Sequence, residues 1–483
     1  MLVAQSPRVP APVQTMPLIT AHGHVRGYGA PQRLPVLLGG SPRPMATMAV
    51  QVGPQAPVPN LGMQPIGAKP PVVYGLHDPT YNKRMIDELN ELLENEEALK
   101  TKIDSCFARC APNGRLDTNA LKHFKATLEK TYGVPATPTS DFQDALERFD
   151  FDGNGTLDSL ETFRLTKAYL LEFRRMRGGN PDLPIPTKAP SKAGYTTIRE
   201  IARGSQGIAS LGTNASGEQV VLKSYAKKND VSFLNEFKQE MESMHALDGH
   251  PNIAKCLDIF QDAQNLYMVT PPNNGGDLRE LRSNAERQGV SMTEGWWRDI
   301  FRQCFEALGY MHMNALMHCD IKEANIMCRT EDFSAPEVVL IDLGLVAAMA
   351  SQAEGFMGTP GYIPPETWAR AKWFPRGDIF SMGVVLVQLL SDRVPNAEIG
   401  RKTIFTQGCN TWHEIKAATL SRPAPLHLLH VKSTACRLLA EGCLQKVKNR
   451  RPTALQAREM QWLAAAPPAR DAPAPGVIVR TML

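Results

Sequence analysis

The sequence predicts an α+β protein in which an all-α region precedes a longer stretch that opens with short strands and continues in long helices. Three observations carry this. From about 79 to 178, apolar residues recur at helical spacing, with Met85, Ile86, Leu89, Leu92 and Leu93 on one stripe. The run GlyGlyAsnProAspLeuProIleProThrLysAlaProSer at 178–191 then sets Pro and Gly too densely for helix to continue. Beyond it lie strand-like runs, ThrThrIleArgGluIleAla and GlyGluGlnValValLeuLys, followed by segments of helical character.

The order along the chain follows. Residues 1–76, rich in Pro, Gly, Ala, Met and Gln, show neither helical nor strand periodicity. Such a segment buries too little apolar surface to offset the entropy of ordering it, so a disordered arm is expected, and nothing in it identifies a partner. An α-helical domain is expected at 79–178, a linker at 179–193, a larger domain at 195–460 and a disordered Ala/Pro-rich tail at 464–483.

With 483 residues and 43% hydrophobic content the chain can form two or three real cores. A net charge of +4, concentrated in no Lys/Arg block, argues against a nucleic-acid-binding surface. Nine scattered cysteines fit reduced thiols in a cytoplasmic or nuclear compartment. Cys106 and Cys110, with no second pair or histidines nearby, read as buried thiols rather than a zinc site. The start lacks a signal-peptide pattern and no apolar run approaches a membrane span. Leu2 in the place of a myristoylated glycine, and a ThrMetLeu end without cysteine, lead to the expectation of a soluble protein with no stable membrane anchor.

The stretch from Asp150 to Glu161 satisfies every position of a twelve-residue EF-hand calcium loop. Asp150, Asp152 and Asn154 offer side-chain oxygens, Thr156 its backbone carbonyl and Glu161 two oxygens. Gly155 permits the sharp turn, and Asp158 is suited to act through a water. Helical segments flank the loop on both sides. EF-hands usually pair, and residues 109–120 provide an upstream mate with Gly114 and Leu116 at the turn and strand positions. Its ligand positions hold Arg109, Ala111 and Ala120, so this hand is expected to be structural and empty of calcium.

In the larger domain, Gly204-Ser-Gln-Gly207-Ile-Ala209 lies between two strand-like runs, where backbone amides can approach phosphates. Lys223 follows Gly207 by sixteen positions and ends ValValLeuLys. A helical segment then carries Glu240, with Glu236 the next candidate, ahead of GlyHisProAsnIle at 249–253. LeuTyrMetValThr270 reads as a buried strand leading into Pro271 and Asn273. His318-Cys-Asp320-Ile-Lys322-Glu-Ala-Asn325 precedes Asp342-Leu-Gly by seventeen residues, counted from Asn325.

In this order the array resembles eukaryotic protein kinases over about 265 residues, and the resemblance implies a two-lobed fold with a small β-rich lobe and a large helical lobe. It implies that Gly204, Gly207, Ala209, Lys223, Glu240 and Asn273 serve ATP, the helix glutamate pairing with Lys223. Asp320 would orient the substrate hydroxyl and accept its proton, Lys322 would stabilise the transferring phosphoryl group, and Asn325 with Asp342 would hold magnesium. Lys322, with Gly358-Thr359-Pro-Gly-Tyr ahead of Glu366, resembles serine/threonine rather than tyrosine kinases. Asp378 to Gly383 matches the buried helix behind the catalytic loop, and Arg451 the arginine that pairs with Glu366. The expected cofactors are ATP, magnesium and calcium, and the expected partners are protein substrates.

Three departures stand out. Ala202 replaces the first loop glycine, Leu343 replaces the phenylalanine beside Asp342, and Cys319 replaces an arginine that in the family reads a phosphate on the activation segment. Activity is therefore expected not to depend on activation-segment phosphorylation. The parts resemble calcium-dependent protein kinases, but with the EF-hands before the kinase domain. Calcium control is an inference from co-occurrence. The alternative is a calcium-responsive pseudokinase scaffold, against which the retained Lys223, Asp320, Asn325 and Asp342 argue. A plain calcium buffer leaves the kinase elements unexplained. Substrate identity, the sign of calcium control and the oligomeric state have no signature in the sequence.

Overall fold

A computed structural model describes residues 79–132, 141–179, 184–203, 207–227, 231–351, 357–394 and 403–465. The arm expected at 1–76 and the tail beyond 465 lie outside the described residues.

Five helices open the described chain: α1 (Pro79–Glu94), α2 (Glu96–Cys110), α3 (Thr118–Tyr132), α4 (Phe142–Phe149) and α5 (Ser159–Met176). Polar caps set their starts. Asn95 accepts from the Ala98 amide at 3.0 Å and Asp141 from the Asp144 amide at 3.0 Å, while Asp158 and Glu161 form a reciprocal capping box at the start of α5. Each such cap contributes about 1 kcal/mol. The loops after α2 and α4 meet through an antiparallel bridge in which Leu116 and Leu157 exchange two 2.8 Å backbone hydrogen bonds. Leu99, Ile103, Leu116, Phe124, Phe149, Leu157 and Tyr169 are buried together between these helices. The stripe on α1 lies over them, with Leu89 buried and Met85, Leu92 and Leu93 half-buried.

The small lobe is an antiparallel sheet of β1 (Thr196–Arg203), β2 (Ile208–Thr213), β3 (Gln219–Ala226), β4 (Asp258–Gln261) and β5 (Asn265–Thr270), in the order β1-β2-β3-β5-β4. Helix α6 (Val231–Ala246) connects β3 to β4. Part of the expected linker is bound to this sheet: the Lys188 amide donates to Gln261 O at 2.8 Å and the Gln261 amide to Pro186 O at 2.9 Å, extending the β4 edge.

The large lobe holds α7 (Leu281–Arg287), α8 (Glu294–Met313), the short strands β6 (Leu316–Met317), β7 (Ile326–Cys328), β8 (Val338–Leu340) and β9 (Ala347–Ala348), then α9 (Pro365–Arg370), α10 (Pro375–Leu390), α11 (Trp412–Ser421), α12 (Thr434–Cys443), α13 (Ala454–Glu459) and α14 (Gln461–Ala464). Every residue of α10 is buried: its apolar majority packs all round the helix, and Asp378, Ser381 and Gln388 are hydrogen-bonded inside the core. β6 pairs with β9 and β7 with β8, which brings the loop between β6 and β7 against the loop between β8 and β9.

One apolar cluster runs from the helical region into the large lobe, joining Leu146 and Phe149 to Cys319, Met349, Trp368 and Trp373. All nine cysteines are free thiols. Among the described residues no helix is long and apolar enough to cross a membrane.

Candidate active site and cation loop

Strand register places the lysine first. Lys223 lies on β3 between Ala209 on β2 and Met268 on β5, so its stem rises from the middle of the small-lobe sheet. A cleft of about 480 Å³ beneath that sheet is lined by Ala209, Lys223, Glu240, Asn273 and Asp342. An adjoining cavity of about 470 Å³ brings Gly207, Lys223, Asp320, Lys322, Asn325 and Asp342 together. Lys223, Ala209 and Asp342 face both. Gly204 lies outside the described residues. At Gly207 a Cβ would stand 2.2 Å from Ser224 O, so only glycine allows β2 and β3 to approach there.

The floor of the second cavity is a hydrogen-bonded set. Lys322 Nζ lies 2.5 Å from Asp320 Oδ2 and donates to Thr359 Oγ1 at 2.9 Å, while that hydroxyl donates to Asp320 Oδ1 at 2.7 Å. Asn325 Nδ2 donates to Asp320 O at 2.9 Å and to its Oδ2 at 3.0 Å. With its nitrogen so committed, Asn325 keeps its carbonyl oxygen for a hard cation, which Asp342 can share. In the sequence Thr359 stands in Gly358-Thr359-Pro-Gly-Tyr ahead of Glu366, and that run was the available signal for its place beside Asp320.

Asp378 fixes the loop from behind. It is buried and accepts from the backbone amides of His318 and Cys319, each at 2.9 Å, and from Trp373 Nε1 at 3.1 Å, with His312 Nε2 at 3.0 Å. Burial pushes its carboxyl up, but these donors and the histidines outweigh it and hold the group below its ordinary value. That grip supports a strained backbone at Cys319, whose φ is 65°, a conformation costing roughly 1–3 kcal/mol for such a residue; Asp342 in the facing loop adopts a similar φ of 63°. Burial and the Asp378 charge push the Cys319 thiol far up, so it stays neutral.

Glu240 faces Lys223 without closing on it. Among the described residues no ion pair of 4.0 Å or less joins them. Burial pushes Glu240 up to about 7, with Lys223 pulling down and Asp342 pushing up. The Glu236 side chain lies outside the described residues. Leu343 is buried in the core cluster that includes Phe237 and Met241 of α6. Glu366 and Arg451 form a bidentate pair with bonds of 2.8 and 2.7 Å, and Arg451 is only 1% exposed. Sequence reading also passed over Glu323, a buried carboxylate held by Tyr362 Oη at 2.5 Å and Gln388 Nε2 at 2.6 Å.

In the loop between α4 and α5, single ligand oxygens of Asp150, Asp152 and Glu161 lie within 4.8 Å of one another. Gly155 takes the left-handed φ of 85° at the turn. Loop amides converge on the carboxylates: Phe151 donates to Glu161 Oε1 at 2.7 Å, Asn154 and Gly155 to the two Asp150 oxygens at 3.0 Å each. Burial pushes Glu161 up to about 7 and raises Asp150. Two buried carboxylates and the exposed Asp152 crowded in this way, with Asn154 and the Thr156 carbonyl beside them, fit a hard divalent cation. In the facing loop Arg115 Nη1 lies 3.7 Å from Asp152 Oδ2, a half-exposed contact of little energetic weight.

A family model described as protein kinase domain matches residues 195–463. The chain is 26% identical over 266 residues to a probable myosin light chain kinase of Dictyostelium discoideum, covering 53% of this chain and 82% of that protein. It is 32% identical over 227 residues to calcium-dependent protein kinase 5 of Plasmodium falciparum, covering 45% of this chain and 39% of that one. It is 28% identical over 261 residues to a serine/threonine-protein kinase of Arabidopsis thaliana, covering 53% and 67%.

Proposed function

The chain belongs to the protein kinase family, and from that premise we propose that it phosphorylates serine and threonine hydroxyls of proteins under the control of calcium. The observation that carries the enzymatic part is the convergence of Lys223, Asp320, Lys322, Asn325 and Asp342 on two adjoining cavities.

ATP bound with magnesium supplies the phosphoryl group and the metal charge that neutralises it. Asp320, held by Lys322, Asn325 and Thr359, orients the substrate hydroxyl and takes its proton as that oxygen bonds to phosphorus. Lys322 balances charge on the moving group, and Lys223 holds the phosphates that leave with ADP. The separation of Lys223 from Glu240 favours the second reading, a nucleotide-binding scaffold without transfer. The intact acid, amide and lysine set weighs against it.

Calcium enters through an EF-hand pair at 79–178, with the second loop as the binding site and the first as its structural mate. Asp150, Asp152, Asn154, the Thr156 carbonyl and Glu161 supply the ligands. The supporting observation is the route out of the loop: α5 runs from Glu161 to Arg174 and Arg175, whose charges act on Glu242 of α6, two residues from Glu240. Free thiols throughout fit a reducing compartment, cytoplasmic or nuclear.

Transfer to a generic protein substrate, measured with calcium and with EGTA for wild type and Glu161→Gln, tests both parts. Calcium should change the wild-type rate and not the variant's. Equal rates in all four arms would remove calcium control, and no transfer by wild type, or equal transfer by Asp320→Asn, would remove the kinase.

A further inference from the structure

Arg148 lies in the last turn of α4, two residues before the first proposed calcium ligand, yet its contacts reach the active-site architecture. Its Nη1 donates to Met349 O at 2.7 Å and to Ser351 O at 2.9 Å, more than two hundred positions further along the chain. The side chain is buried, and its guanidinium lies 5.2 Å from the ring centroid of Phe374. A buried guanidinium is costly unless hydrogen-bonded, so this contact is not a surface accident. One helical turn earlier Asp144 accepts from Lys372 Nζ at 2.9 Å, which gives the same face of α4 a second anchor on the large lobe.

The held segment leads to the chemistry in a few bonds. The Met349 amide donates to Ala315 O at 2.8 Å, and the Ser351 amide to Ala348 O at 2.9 Å. Ala347 and Ala348 pair with Met317 and Leu316, the strand that runs into His318, Cys319 and Asp320. Cys319 is fully buried and brings no cation of its own to this place, while the charge of Arg148 acts on its thiol. The positive group beside the catalytic loop therefore comes from the helical domain, and its Nη1 is committed to two main-chain carbonyls, while its Nε is buried without a hydrogen-bond partner among the described residues.

We propose that Arg148 is a positioning residue for phosphoryl transfer, holding the activation segment through Met349 and Ser351 so that the docked helical domain orders the segment in place of a phosphate. The proposal rests on the kinase reading above. It also makes a reciprocal statement: whatever factor an ion bound two residues further on applies to the hold of Arg148 on the segment, the held segment applies to the affinity for that ion.

The test uses the full chain as wild type, Arg148→Met and Arg148→Lys. Methionine keeps the apolar stem and removes the donors; lysine restores the charge and part of the bonding. Steady-state kinetics on a generic protein substrate, with KM for ATP and for protein resolved, is combined with hydrogen exchange at the Met349 and Ser351 amides and with calcium affinity by titration. In the methionine variant kcat/KM for the protein should fall at least tenfold with KM for ATP within about twofold, exchange at both amides should quicken about tenfold or more, and calcium affinity should shift. The lysine variant should recover part of each. Unchanged exchange overturns the proposal, as does faster exchange with unchanged kcat/KM. If the methionine variant does not fold, the lysine variant is held to the same comparison at smaller amplitude. A wild type without transfer defeats the kinase reading and the positioning role with it, while the exchange data still decide whether Arg148 holds the segment.

Discussion

Thr359 and Asp320 share a 2.7 Å hydrogen bond across 39 residues of chain, and Lys322 closes the triangle. The hydroxyl thereby fixes one oxygen of the carboxylate proposed to accept the proton and leaves the other to Lys322 and Asn325. Thr359→Val keeps the shape and removes the bond, so kcat should drop by about a hundredfold, as misplacement of a reacting group commonly costs. Thr359→Ser should stay within a fewfold of wild type. A valine variant of undiminished kcat would show that the triangle does not matter to transfer.

The same triangle bears on regulation. Thr359 is engaged between Asp320 and Lys322, and Arg148 grips Ser351 by its carbonyl rather than through a phosphate. Phosphatase treatment of the purified chain should therefore leave the rate within about twofold, with intact-mass measurement confirming removal. A collapse in rate that rephosphorylation reverses would contradict this.

Glu240 sets a pH dependence whose sign can be worked out. Burial raises it from an ordinary 4.5 to about 7, so between those values the folded chain keeps a proton that the unfolded chain has lost. Its contribution to stability is present at the acid end and declines as the pH rises through that window. The charges that face it are Lys223 and Asp342, with the Tyr225 hydroxyl and Cys256 thiol also in range. In ATP-free protein, the unfolding free energy of Glu240→Gln in urea should fall less steeply with pH than that of the wild type, by a difference approaching 1.4 kcal/mol per pH unit, about one proton's worth, while the slope from Glu161 remains in both. Parallel pH profiles for the two would exclude this.

The Glu366–Arg451 pair is bidentate and largely shielded from water, with the Arg451 side chain fully buried, and Arg451 also donates to the carbonyls of Arg376, Gln445 and Lys446 and lies 5.0 Å from the Phe380 ring centroid. Arg451→Met strands a buried carboxylate and should destabilise the chain by about 3–5 kcal/mol. Adding Glu366→Gln should recover part of that loss, because the stranded charge goes with it. Strict additivity in the double variant would deny the coupling.

What the sequence made legible was chemistry tied to short spacing. The oxygen-bearing positions from Asp150 to Glu161, the Asp320, Lys322 and Asn325 set, and the lysine ending β3 each lie in a run where local geometry dictates residue type. The period of α1 was readable for the same reason, whereas the caps at Asp141 and Asp158 emerge only from the structure. Arg148 was not. In α4 it looks like any charged residue on an amphipathic helix, and its acceptors are main-chain carbonyls, which every residue carries. Nor could spacing reveal that Lys223 and Glu240 stand apart, since that distance depends on how α6 is held against the sheet. The run at 185–188 reads as linker by composition, and composition carries no sign that the Lys188 amide and the Pro186 carbonyl pair with Gln261 at a sheet edge.

The apolar cluster that includes Phe149, Cys319, Met349 and Trp373 crosses the boundary at which the family match begins. A fragment cut at residue 195 would present that surface to water and would also lose the partners of Lys372 and Lys448, namely Asp144 and Glu147. Such a fragment is a candidate for self-association rather than a minimal enzyme. The two regions accordingly constitute one cooperative unit, which heat should unfold in a single calorimetric transition and a protease should not separate cleanly.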